Sequence, residues 1–137
     1  MNPYKHQIKY YETDKMGVTH HSNYIRFMEE ARTDFLCQLG FDYAELEKSG
    51  VISPVIGIEC KYKATTTSPD VIDIFVSVDK VNGATVSFKY IMKKADGTIA
   101  FEGKSQHCFL NKDGRLLRLK KDFPDFYEAM MKLSENA

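Results

Sequence analysis

Residues 10–33, YYETDKMGVTHHSNYIRFMEEART, change character halfway along. From Tyr24 onward the apolar residues Tyr24, Phe27, Met28, Ala31 and, just past the stretch, Phe35 recur at i, i+3, i+4, i+7 and i+11. Arg26, Glu29, Glu30, Thr33 and Asp34 take the other positions. This is the period of an amphipathic helix with one stripe to bury. The half before Tyr24 has no period at all. It is polar, carries the Asp14 carboxylate, a glycine and two histidines, and predicts an irregular connection leading into a long helix.

The neighbours of this stretch alternate instead. Upstream, Tyr4, His6, Ile8 and Tyr10 interleave with Lys5, Gln7 and Lys9, the two-residue period of a half-buried strand. Downstream, Gly40 supplies a left-handed stop for the helix, and Asp42 with Glu45 predicts a capped short helix ending at Gly50. Four further alternating runs follow: Ile56 to Tyr62, Ile72 to Val78, Val86 to Met92, and Ile99 to Phe109. The pairs Asn82-Gly83 and Asp96-Gly97 between the last three predict tight type I′ hairpins, which makes those strands antiparallel neighbours. Phe123, Phe126, Tyr127, Met130 and Met131, with Pro124 in the first turn, predict a short C-terminal helix. Strand, long helix, four strands, short helix is an α+β order, with one long helix available to pack on one five-stranded sheet.

At 137 residues with 43% hydrophobic and 28% charged content, one domain spanning 1–137 is expected, with a core large enough to need neither metal nor disulfide. Nineteen basic residues balance nineteen acidic ones, so no overall field draws the chain to nucleic acid or to an anionic membrane. No apolar run approaches the length of a bilayer crossing, and the first ten residues lack a signal peptide's apolar segment, so a cytoplasmic protein is expected. Cys37, Cys60 and Cys108 show no metal or redox spacing. Cys60 alternates with Ile56, Ile58 and Tyr62 and is expected to be a buried packing thiol.

The chemistry is concentrated in the irregular stretch. A carboxylate at Asp14 just ahead of a helix start stands beside backbone N–H groups that the helix leaves unpaired, and acyl transfer needs a base near such donors. On the residues alone, Asp14 as a turn cap with His20 and His21 as surface loop residues explains the stretch as well. A metal site built on Asp14, His20 and His21 is not expected, because adjacent side chains diverge and no further ligand is suitably spaced.

The whole segment resembles the signature of the hotdog-fold thioesterases related to hydroxybenzoyl-CoA thioesterase. The resemblance rests on Thr13-Asp14, on Gly17 three residues later, on His21 seven residues after the Asp, on Tyr24, and on Glu29-Glu30-Ala31-Arg32-Thr33. It extends to the order of elements and to Asp70 ahead of Val71 and Ile72, while Thr65-Thr66-Thr67-Ser68 replaces a Pro-containing segment often found there. It implies a hotdog fold, hydrolysis of acyl-CoA or acyl carrier protein thioesters, and no cofactor. By position it makes Asp14 the catalytic carboxylate acting as nucleophile or general base, with His21 beside it. Gly17, Val18, Asn23, Tyr24, Thr65 and Thr66 become the substrate-binding set.

Glu29 is the reserve carboxylate, since some hotdog thioesterases carry theirs on the helix; Arg26 and Arg32 within three residues explain it as helix-surface pairing. Lys61, Lys63, Lys89, Lys93, Lys94, Arg115, Arg118, Lys120 and Lys121 are the basic candidates for the coenzyme phosphates. Two other functions fit the same fold: a non-catalytic acyl-CoA sensor, against which Asp14 argues, and an acyl-thioester hydratase or dehydratase, for which no acid/base pair is visible. Val71, Phe75 and Val81 lie on the face of their strand opposite Ile72, Ile74, Val76 and Val78. Together with the resemblance, these two apolar faces predict a homodimer or homotetramer.

Overall fold

A computed structural model describes residues 1–135; Asn136 and Ala137, the last two of the expected 1–137 domain, lie outside the described residues. The elements are β1 (Tyr4–Gln7), a 3-10 turn (Tyr10–Glu12), α1 (Asn23–Gln38), α2 (Tyr43–Lys48), β2 (Val55–Tyr62), β3 (Val71–Val81), β4 (Thr85–Lys93), β5 (Ile99–Cys108), α3 (Leu119–Asp122) and α4 (Pro124–Glu135). The five strands form one sheet in the order β1-β3-β4-β5-β2. Strands β3, β4 and β5 are the expected meander, and β1 pairs antiparallel with β3, Tyr4 opposite Ile74 and His6 opposite Ile72. The α+β arrangement of a five-stranded antiparallel sheet with one long helix is as expected.

Two compact units can be told apart. The first comprises 1–35, 60–76 and 90–103. Its core is the stripe of α1 read from the sequence, with Tyr24, Phe27, Met28 and Ala31 buried together with Ile72, Ile74, Tyr90, Met92 and Phe101. Tyr24 lies flat on Phe101, centroids 5.1 Å apart, and edge-on to Phe27. Each large side chain buried in this way contributes roughly 1.5–3 kcal/mol. The second unit comprises 36–59, 77–89 and, among the described residues, 104–135, and packs Leu36, Val78, Val86, Phe88, Phe109, Leu119, Phe126 and Met130. Phe126 of α4 is its hub, in ring contact with Phe41, Phe109 and Phe123.

The helix ends follow their sequence signals. Gly40 has φ +89, its N–H donates to Cys37 O, and Phe41 N–H reaches back to Leu36 O, so a left-handed residue closes α1. Asp42 accepts from Ala44 N–H and caps α2.

Three expectations are corrected. The first strand stops at Gln7 rather than running to Tyr10, which is 85% exposed on the 3-10 turn, because the Glu12 carboxylate captures Lys9 N–H and bends the chain there. Neither hairpin uses a type I′ turn, which requires φ > 0 at both central residues, since among the described residues only glycines have positive φ, and Gly83 is not one of them. Asn82 stands ahead of its loop and accepts from Ala84 N–H and Thr85 N–H; Asp96 sits inside a three-residue loop in which only Gly97, φ +89, is left-handed. Finally, Cys60 is half-buried rather than buried, and Ile56 and Ile58 on its face are exposed. Strand β2 lies at a sheet edge and has a single strand neighbour.

Candidate active site

The connection from β1 to α1 is folded by its own backbone. Thr13 and Thr19 form an isolated antiparallel bridge. Between them Asp14 N–H donates to Val18 O at 2.8 Å and Gly17 N–H to Asp14 O at 3.0 Å. Gly17 holds φ +80, the left-handed conformation that closes such a loop and that side chains other than glycine resist. The Asp14 side chain braces its own turn: Oδ1 accepts Met16 N–H at 2.9 Å, its single hydrogen bond among the described residues. Its remaining acceptor capacity stays available to a ligand.

Asp14, Met16, Val18, Thr19, His21, Tyr24, Tyr62, Lys63, Ala64 and Thr65 line a cavity of about 300 Å³. That volume is at the lower end of those that hold small organic ligands. Of the residues expected from the sequence, Asp14, His21, Val18, Tyr24 and Thr65 come together here. Gly17, Asn23, Thr66 and Glu29 are not among the lining residues. Gly17 closes the turn, Asn23 Nδ2 donates to Glu12 O at 2.8 Å, and Glu29 is exposed on α1. Thr66 is buried in a chain of hydroxyls, Oγ1 lying 2.6 Å from Thr19 Oγ1 and 2.8 Å from Tyr24 OH. Thr19 N–H also donates to Thr66 O, so this chain ties the loop to the segment ahead of β3.

Burial raises the phenol of Tyr24 above its usual range, against the opposing hydrogen bonds from Thr66 and Thr19 and with a further push from the charge of Asp70. Tyr62 is raised as well, by desolvation first and then by Cys60 and Tyr24. Both side chains are therefore neutral hydroxyls around pH 7. Tyr62 OH donates to His21 O at 3.2 Å, and the His21 ring stacks on His20 and meets Tyr62 edge-on. His21 thus sits just before α1, whose first two N–H groups, those of Asn23 and Tyr24, donate back to His20 O and His21 O. Lys63 is a cation at the cavity wall, 3.5 Å from Glu102.

Beneath the loop is a group the sequence reading did not single out. Glu12 is buried, and its carboxylate accepts from Lys9 N–H at 2.7 Å, contacts His6 Nε2 at 3.0 Å and pairs with the guanidinium of Arg26. Its backbone carbonyl accepts from His20 N–H and from Asn23 Nδ2. Nothing in the spacing of Glu12 marks it as buried, since it follows two exposed tyrosines. The usable signal was Arg26, a cation on the helix turn that faces the loop.

Comparison with known proteins bears on the family and the fold. A family model described as the thioesterase-like superfamily matches residues 8–132. YneP of Bacillus subtilis, provisionally named an acyl-CoA thioesterase, is 32% identical over 127 residues, 92% of this chain and 92% of its own. A 1,4-dihydroxy-2-naphthoyl-CoA hydrolase of Thermosynechococcus vestitus is 25% identical over 116 residues, 80% of each chain. Among solved structures, a DHNA-CoA thioesterase from Staphylococcus aureus superposes with a TM-score of 0.93 at 34% identity, covering 98% of this chain and 91% of that one. The fold is the hotdog fold expected from the sequence.

Proposed function

The chain belongs to the thioesterase-like superfamily, and from that premise we propose that it is an acyl-CoA thioester hydrolase that uses Asp14 to release a carboxylic acid and coenzyme A. The observation that carries the reading is the cavity itself. It combines a carboxylate with spare acceptor capacity, apolar walls from Val18, Tyr24, Tyr62 and Ala64, and a position ahead of a helix N-terminus. The acyl group lies against the apolar walls with its carbonyl oxygen toward the backbone N–H of His21, since those of His20, Ser22, Asn23 and Tyr24 are bonded within the loop and helix start. Such donors lower the barrier by about 3 kcal/mol when aimed at a developing oxyanion.

Asp14 acts in one of two ways. As nucleophile it attacks the carbonyl carbon, the carbon–sulfur bond breaks, and water then hydrolyses the resulting anhydride. As general base it takes a proton from a water that attacks directly. In both, coenzyme A leaves as a thiolate, and a thiol with a pKa of about 8.5 departs without a general acid. Lys63, at the cavity wall, is the basic residue best situated to meet the coenzyme's phosphates. The enzyme is cytoplasmic, in keeping with three free cysteines. It works as a homodimer or homotetramer: Val55, Ile56 and Ile58 are exposed along the edge strand β2, and Val71 and Phe75 on β3, more apolar surface than an edge left in water usually carries.

A free-thiol release assay over short, long and aromatic acyl-CoAs, repeated with an acyl carrier protein thioester, tests this. Turnover of at least one class is expected, with acid and thiol in equal amounts. Tight binding with no thiol release from any substrate would replace the reading with that of an acyl-CoA sensor.

A further inference from the structure

Glu12 is bonded to three separate segments, and the loop that starts from it carries Asp14. Its side chain is 1% exposed and would cost several kcal/mol to bury as an unpaired charge. It is compensated by donors from three places: His6 in β1, Lys9 N–H at the bend, and Arg26 in the first turns of α1. Its carbonyl meanwhile takes His20 N–H at 2.9 Å and Asn23 Nδ2 at 2.8 Å. The loop that bears Asp14 leaves residue 12 at one end and is tied back to it at the other. We propose that Glu12 is a positioning residue that sets the distance and angle between the Asp14 carboxylate and the start of α1. The proposal rests on Asp14 being the reacting carboxylate.

The arrangement requires a carboxylate and not merely a polar group. Both oxygens accept: Oε1 from Lys9 N–H and His6, Oε2 from Arg26. Glutamine has one acceptor oxygen and an NH2 group, so in either orientation it turns a donor toward a donor. One side of the clamp then opens, and the loop settles in a shifted position. A displacement of about 1 Å at a reacting group lowers turnover by as much as 100-fold. The hydrogen bonds of the Glu12 side chain go to His6, Lys9 N–H and Arg26, none of which lines the cavity, so substrate affinity is spared.

The test is kcat and KM for Glu12→Gln, Glu12→Asp and Asp14→Asn by thiol release, each at a temperature where its own melting curve shows it folded. Glu12→Gln is expected to lower kcat about 10- to 100-fold with KM within about threefold of wild type. Glu12→Asp, which keeps two acceptor oxygens, is expected to recover part of that loss. Wild-type kcat in a folded Glu12→Gln enzyme, or a loss confined to KM, overturns the proposal. If Glu12→Gln does not fold, Glu12→Asp decides: a lowered kcat at unchanged KM supports the clamp, and wild-type kcat overturns it. Asp14→Asn at wild-type rate defeats the assignment of Asp14 itself, and the proposal with it, whereas a dead Asp14→Asn beside a fully active Glu12→Gln defeats the clamp alone.

Discussion

Glu12 and Asp14 are carboxylates with one residue between them, yet their surroundings are opposite. Glu12 is buried, both oxygens are taken by donors from a strand, a bend and a helix, and its carbonyl is bonded twice more. Asp14 lines a cavity and its carboxylate accepts one N–H from its own turn. A carboxylate whose acceptor sites are filled by fixed donors can neither take a proton nor attack a carbon without dismantling them. One with unfilled sites facing a cavity can do either. The difference teaches that within one short loop the number and origin of the hydrogen bonds, rather than the residue type, separate the group that holds from the group that reacts.

The comparison can be broken first through stability. Glu12→Ala leaves Arg26, His6 and Lys9 N–H without their acceptor and is expected to cost about 3 kcal/mol, the low end for a broken buried pair because Arg26 is half-exposed. Asp14→Ala, by contrast, is expected to change stability by about 0.5 kcal/mol or less. Urea denaturation of the two variants checks this, and equal losses would erase the distinction. A smaller effect is expected at Gly17. Nothing lies within 4 Å of a Cβ built there, so Gly17→Val is penalised by the positive φ alone, by about 1–2 kcal/mol. The turn that presents Asp14 would re-form, and turnover should fall several-fold; wild-type turnover in Gly17→Val would show that the turn's geometry is irrelevant to Asp14. The smallest effect sharpens the comparison from outside the loop. Glu29 is exposed on α1, and Glu29→Gln is expected to keep turnover within about twofold of wild type. An inactive Glu29→Gln would move the reacting carboxylate onto the helix.

What the sequence disclosed depended on whether local chemistry or distant contacts decided the outcome. The stripe from Tyr24 to Phe35 and the alternation of β3 and β4 were legible because burial imposes a period on the chain itself. Gly40 and Gly50 were legible because a left-handed residue has few alternatives. The hairpin types were not, because Asn82 and Asp96 used their side chains to bond the turn from ordinary φ, a choice that the Asn-Gly and Asp-Gly pairs do not reveal. The state of Cys60 was missed since alternation shows that a face is apolar, not that this chain covers it. Of the expected site residues, Asp14, His21 and Tyr24 line one cavity. Thr66 was assigned to the substrate but lies under the wall, hydrogen-bonded to Thr19 and Tyr24. Glu12 was passed over because its partners His6 and Arg26 are 6 and 14 residues away, on a strand and a helix whose approach only the fold reveals.

The account stands or falls on the claim that Asp14 drives thioester hydrolysis, and the most direct measurement is thiol release by Asp14→Asn beside wild type, each on the best acyl-CoA substrate. Asparagine keeps the shape and the acceptor for Met16 N–H while removing the charge. The expected result is a fall in kcat of about 100-fold or more with an unchanged melting temperature. Turnover at the wild-type rate would contradict it.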